Sequence, residues 1–141
     1  MTRFLCALLL VWLAACAPAP TDTDTDTDMR SIVSFDQARF AGEWREVQSG
    51  ALWRVAPNMT EISYPGGIGA AKLIGPGRIQ VQGRRAPLWV LWVDEGYRTV
   101  VIGTPDRSFS LILNRGDIAP DRLRAAREIL DWNGYDLGSG R

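Results

Sequence analysis

The chain has 141 residues, 46% of them hydrophobic and 23% charged, a length that allows one domain with short ends. Its 16 basic and 16 acidic side chains cancel, which excludes nucleic-acid binding by bulk electrostatics. There is no histidine, and both cysteines, Cys6 and Cys16, precede the domain, so His-dependent nucleophilic catalysis, His- or Cys-ligated metals and a disulfide within the fold are excluded.

The N-terminus reads as an address. After Arg3 comes the apolar run "FLCALLLVWLAA", shorter than the roughly 20 residues a membrane-spanning helix needs and suited to a bacterial export signal. It ends in "LAAC", which resembles the lipobox of bacterial lipoproteins. That resemblance implies lipidation of the Cys16 thiol and cleavage just before it, residues 1–16 being the signal region that ends at the lipobox cysteine. Ala15-Cys16-Ala17 also fits the A-x-A pattern of ordinary signal cleavage, after Ala17. Residues 17–30 contain "APAPTDTDTDTD", whose alternating Pro, Thr and Asp cannot bury apolar area and suit a disordered tether. Ala17 instead of aspartate after the cysteine implies, within the lipoprotein resemblance, the outer membrane facing the periplasm.

Residues 31–141 form the expected domain. Short runs rich in β-branched, aromatic and Leu residues follow one another: "EWREVQS", "MTEISY", "AAKLIG", "RIQVQG", "PLWVLWVDE", "YRTVVIGT" and "SFSLILNR". Turn residues separate them, among them Pro57-Asn58, Pro65-Gly66-Gly67, Gly75-Pro76-Gly77 and Pro105-Asp106. The pattern predicts an all-β fold, a small antiparallel barrel or sandwich of seven or eight short strands. "GGIGAAK" lacks the Gly-Lys-Ser/Thr ending of a phosphate loop and reads as a hairpin turn. Asp94 and Glu95 fall at a turn and read as solvated. The last three runs are apolar on both faces, so something covers the outer one. The cover is a helix over about 120–133, opened by Pro120 and Asp121, stopped by Gly134, with Leu123, Ala126, Ile129 and Leu130 on one side and Ala125 and Trp132 at its edges.

"FDQARFAGEWREV" resembles the opening of the bacterial lipocalins, with Gly-x-Trp leading into the first strand. "YRTVVIGTPDRSFSLILNR" resembles their last hairpin and its terminal arginine, and the following helix and "GYDL" resemble their C-terminal helix and short final strand. The resemblance spans roughly residues 35–137. It implies an up-and-down barrel, shortened here, because only "PGGIGAAKLIGPG" stands where the family has a further strand and a half. A seven-stranded, flattened or partly open barrel is therefore allowed. "GALWRVAPN" resembles the family's capping loop.

In such a barrel the first and last strands are antiparallel neighbours. Trp44 and Arg115 are then expected to meet at one mouth as a plug, the guanidinium stacked on the indole and bonded to loop carbonyls, with Gly42 allowing a tight turn beneath. Alternation sends Glu46 inward with Trp44, to pair with Arg115 or Arg54 or to orient a ligand head group. Leu113, Leu111 and Phe109 share a face with Arg115. Either Trp89, Leu91 and Val93 or Leu88, Val90 and Trp92 join them, and the former are taken with Glu46, Phe109, Leu111 and Leu113 as the ligand-lining set. The resulting expectation is a lipid-anchored, non-enzymatic envelope lipocalin with no cofactor and no nucleic-acid partner, binding a fatty acid or lysophospholipid. The alternative is a structural or interaction lipoprotein whose filled barrel acts through its surface.

Overall fold

Eight antiparallel strands close on themselves in the computed structural model, which describes residues 29–137. In chain order they are β1 (Gly42–Glu46), β2 (Leu52–Val55), β3 (Glu61–Tyr64), β4 (Gly67–Gly75), β5 (Arg78–Val81), β6 (Leu88–Val93), β7 (Thr99–Gly103) and β8 (Ser110–Asn114). Each pairs with the next, and β1 also pairs with β8. A one-turn helix, α1 (Gln37–Phe40), precedes β1, and α2 (Pro120–Trp132) follows β8. Cys16 and the tether through Asp28 lie outside the described residues. No described helix is long and apolar enough to cross a membrane.

The shortened sequence therefore still makes a closed eight-stranded barrel, not a seven-stranded or open one. Two segments supply the difference. "LWRV", expected within a capping loop, is β2, paired with β1 through Gly42↔Val55, Glu43↔Arg54, Trp44↔Trp53 and Arg45↔Leu52. Its alternation buries Trp53 and Val55 and exposes Arg54, which ion-pairs with Glu43 at 2.8 Å. The glycine-rich stretch taken for a turn is the first half of the nine-residue β4, paired with β3 from Gly67 to Ala70.

Period-two alternation sorts the strands into an inner and an outer set. Trp44, Trp53, Val55, Ile62, Ile79, Val81, Leu88, Val90, Val100, Ile102, Leu111 and Leu113 form the interior. A second cluster lies outside, where Leu91, Val101 and Ile112 meet Ala126 and Leu130 of α2. The all-apolar runs of β6, β7 and β8 are thus explained: one face fills the barrel and the other seats the helix. Each large side chain so buried contributes about 1.5–3 kcal/mol. Trp132, expected at the edge of the helix's apolar side, is 75% exposed.

The helix ends as its sequence requires. Pro120 occupies the first turn with Asp121 beside it, and after Asn133 the Tyr135 amide donates back to the Leu130 carbonyl at 3.0 Å, satisfying a carbonyl the last turn leaves open. "GYDL" is not a strand. Tyr135 is instead buried against β7, donating from its hydroxyl to the Thr104 carbonyl at 2.7 Å. Gly103 makes this possible, because a Cβ there would collide with the Tyr135 hydroxyl and ring.

Candidate functional site

The barrel has two ends, and an arginine stands on an aromatic ring at each. At the end carrying α1, β1 begins and β8 stops, in the register Arg45↔Asn114 and Glu46↔Leu113. That register sets Arg115 beside Trp44, with its guanidinium carbon 3.8 Å from the indole centroid. Its nitrogens donate to five backbone carbonyls: Ala41 at 2.6 Å, Arg39 at 3.0 Å, Phe40 at 3.1 Å, Glu43 at 3.2 Å and Tyr97 at 3.4 Å. The Trp44 indole N–H also donates to Phe40, at 2.8 Å. Gly42 has φ +112°, a left-handed conformation that disfavours any side chain, and this bend carries the carbonyls of Phe40 and Ala41 back over the arginine. Burial lowers the Arg115 pKa, but an arginine stays charged at any physiological pH.

The neighbouring β6–β7 turn is tied into the same end. Asp36 receives the Tyr97 hydroxyl oxygen as acceptor for its amide at 2.8 Å, and Arg39 stacks over the Tyr97 ring at 4.4 Å. Asp94, expected to be solvated, is 8% exposed. Its carboxylate accepts from the Arg98 amide at 2.6 Å and the Thr99 amide at 2.5 Å. Burial by itself would raise its pKa. The backbone N–H groups of Thr99, Arg98 and Gly96, then the charge of Arg122, outweigh burial and hold the carboxyl below its ordinary value. Glu46 is half-buried on β1, and its expected partners are engaged elsewhere: Arg54 with Glu43 and Arg115 with carbonyls.

Between the ends the barrel is packed. Trp44, Met59, Ile62, Ile79, Val81, Leu88, Val90, Val100, Ile102 and Leu113, drawn from six of the eight strands and the β2–β3 connection, are each at most 2% exposed. Side chains lining a ligand-sized void would expose surface to it, and these expose essentially none. Leu111 and Leu113 face this interior, with Phe109 and Val93 packed against it. Trp89 and Leu91, expected to line a ligand, lie on the outer face instead. The cause is a bulge in β6: the register with β7 shifts between Val90 and Trp92. Leu88 and Val90 therefore point in, Leu91 and Trp92 both lie outside, and Val93 returns to the interior. Neither of the two simple alternations describes the strand.

At the opposite mouth, β1 and β2 are joined by a tight turn in which the Gly50 amide donates to Glu46 at 2.8 Å, so no long loop covers the opening. Arg84, from the β5–β6 connection, lies there with its guanidinium carbon 4.4 Å from the Phe109 centroid and 5.5 Å from that of Tyr64. Both rings also pack on Trp53, at 6.4 Å and 5.6 Å. Two donors in this cluster, Arg84 Nε and Trp53 Nε1, are buried without a hydrogen-bond partner. A buried donor left without an acceptor costs about 1–3 kcal/mol. Beside them is a cleft of about 290 Å³ lined by Tyr64, Arg84, Arg85, Asp106, Ser108 and Phe109. Asp106 has its pKa lowered to about 2, chiefly by the Thr104 hydroxyl, then by the Ser108 hydroxyl and amide. A larger groove of about 640 Å³ runs outside the barrel, between α2 and the start of β8.

Sequence reasoning identified the Trp44–Arg115 end and missed the Arg84 mouth. The signal available for the latter was "GRRAP" following a strand, but nothing in its spacing tells that Arg84 reaches Phe109, 25 residues on. Among the described residues no group of three His, Cys, Asp or Glu side chains is placed to hold a metal ion. No protein-family model matches the chain, and no curated protein sequence does.

Proposed function

We propose that the protein is a lipid-anchored barrel of the bacterial envelope, non-enzymatic, that acts through its outer surface and rims and does not enclose a ligand. The observation that carries this reading is the packed interior: ten large side chains, at most 2% exposed, occupy the space in which a calyx would hold its cargo. The "LAAC" sequence and the Thr-Asp tether support anchoring, and the closed eight-stranded barrel with its C-terminal helix is compatible with the lipocalin resemblance. One feature favours the carrier reading. The groove beside α2 has the volume of a small-molecule site and an apolar wall that includes Ile112, Leu123 and Leu130.

Titration of the Cys16→Ala protein with palmitate and with a lysophospholipid separates the two. The expected result is no change in tryptophan fluorescence and no rise in melting temperature up to high micromolar ligand. Saturable binding weakened by Leu111→Trp would establish an interior cavity and overturn the proposal, while binding weakened by Leu123→Arg would place the cargo in the groove.

A further inference from the structure

The Arg84 mouth has the makings of a site of its own. Its cleft contains two arginines, Arg84 and Arg85, and one carboxylate, Asp106. Neither arginine forms an ion pair among the described residues. Asp106 is turned into its own loop, one oxygen accepting from the Thr104 hydroxyl at 2.6 Å, the Ser108 hydroxyl at 2.7 Å and the Ser108 amide at 3.1 Å. The cleft therefore keeps an excess of positive charge with no protein anion to receive it.

The guanidinium of Arg84 is the better placed of the two. Its chain is fixed by the Arg84 amide donating to Val81 at 3.1 Å and by the Gln80 side-chain amide donating to the Arg84 carbonyl at 3.5 Å. Its side chain is held by the Phe109 and Tyr64 rings alone. The N–H donors, all on the edge of the planar group, have no acceptor among the described residues. The contrast with Arg115 is direct: that guanidinium is also stacked, but its edge is filled by five carbonyls. A planar carboxylate is the acceptor that fits such an edge with two parallel bonds, and flat apolar rings beside it suit an aromatic or compact apolar body. The unpartnered Trp53 Nε1, against the same two rings, adds a second deficit of acceptors in the same cluster.

We infer that the mouth formed by Tyr64, Arg84, Arg85 and Phe109 binds a small organic carboxylate, whose oxygens accept from Arg84 while its body lies against the rings. A cleft of about 290 Å³ takes a molecule the size of benzoate and not a long chain. This goes beyond the surface-acting reading and does not rest on it: the site is at the rim and requires neither the lipid anchor nor a filled interior.

The test is titration of the purified full chain with benzoate, benzyl alcohol and inorganic phosphate, followed by tryptophan fluorescence and thermal melting. Benzoate is expected to bind saturably, at least tenfold more tightly than either of the others, and to perturb tryptophan emission because Trp53 adjoins the rings. Arg84→Met should weaken benzoate tenfold or more and Arg85→Met less. If Arg84→Met does not fold, Arg84→Lys, which keeps the charge and loses the planar fork, should weaken benzoate binding, and Phe109→Leu should reduce its advantage over phosphate. Benzyl alcohol binding as well as benzoate would overturn the inference by removing the charge from recognition. Phosphate binding as well as benzoate would overturn it by removing the rings. No binding of benzoate at millimolar concentration, with only water satisfying the buried donors, would also overturn it.

Discussion

Replacing Arg115 by methionine keeps an apolar stem over Trp44 and removes everything else the side chain does. Three of its five bonds to backbone carbonyls are 3.1 Å or shorter. A hydrogen bond with a charged partner contributes about 1.5–3 kcal/mol, so three at the lower bound would give about 4.5 kcal/mol. Arg115 is only half-buried, and water entering this end would satisfy some of the abandoned carbonyls, which reduces the figure to about 2 kcal/mol. Loss of the stack on Trp44 adds roughly 1 kcal/mol. The expected destabilisation is therefore about 3 kcal/mol, read in urea melts as a lower midpoint at unchanged slope. Arg115→Lys, with a point charge and three donors where five carbonyls converge, should recover less than half of the loss. Trp44→Ala should cost about 3–5 kcal/mol as a buried aromatic truncation, and the double mutant should fall short of the sum by about 1 kcal/mol, the contact both singles already remove. A loss below 1 kcal/mol for Arg115→Met, or strict additivity, would refute the account of this end as one bonded unit.

Three further outcomes are expected. Metabolic labelling with a palmitate analogue should tag the wild-type protein, and Cys16→Ala should lose both the label and its membrane fractionation; an unlipidated mature chain beginning at Pro18 would exclude the anchor. Asp94 has a lowered folded-state pKa, so its contribution is complete above the ordinary carboxyl range and disappears as pH falls through the folded value; Asp94→Asn should therefore be less stable at neutral pH and show a shallower loss between about pH 5 and pH 2. Gly103→Ala should destabilise by at least roughly 1–3 kcal/mol because the new methyl meets the Tyr135 ring, and combining it with Tyr135→Ala should cost much less than the sum of the two.

Much of the barrel could be read from residues, and the failures have physical causes. The strands from β5 to β8 are marked by apolar runs between turn residues and the helix by its apolar side, and all five lie where those signals put them. β2 was missed because a four-residue strand set between Gly50 and Pro57 is too short to establish a period, and only pairing with β1 gives "LWRV" its extended form. The start of β4 was hidden by glycines, which have low intrinsic strand preference and are admitted here by close neighbours. The β6 bulge was invisible because Leu, Trp, Val, Leu, Trp and Val suit either face, so composition contained no information on register. Asp94 was misjudged for a related reason: a carboxylate at a turn is usually solvated, and its burial depends on backbone amides that only the folded turn presents. Whether the barrel is empty or filled was equally illegible, because it depends on how side chains from every strand meet across the interior.

The seam between β1 and β8 has a consequence for how the molecule is made. Only two residue pairs register across it, against five between β7 and β8, and Arg115 fastens it to carbonyls as far as 76 positions earlier. A nascent chain can zip β1 through β7 hairpin by hairpin, but the ring stays an open ribbon until β8 has emerged. During that interval both outer strands present unpaired amides and carbonyls to any neighbouring chain, a template for intermolecular pairing. Closure then removes both edges in one step, so the last strand and the arginine that follows it convert an adhesive intermediate into a surface with no exposed sheet edge.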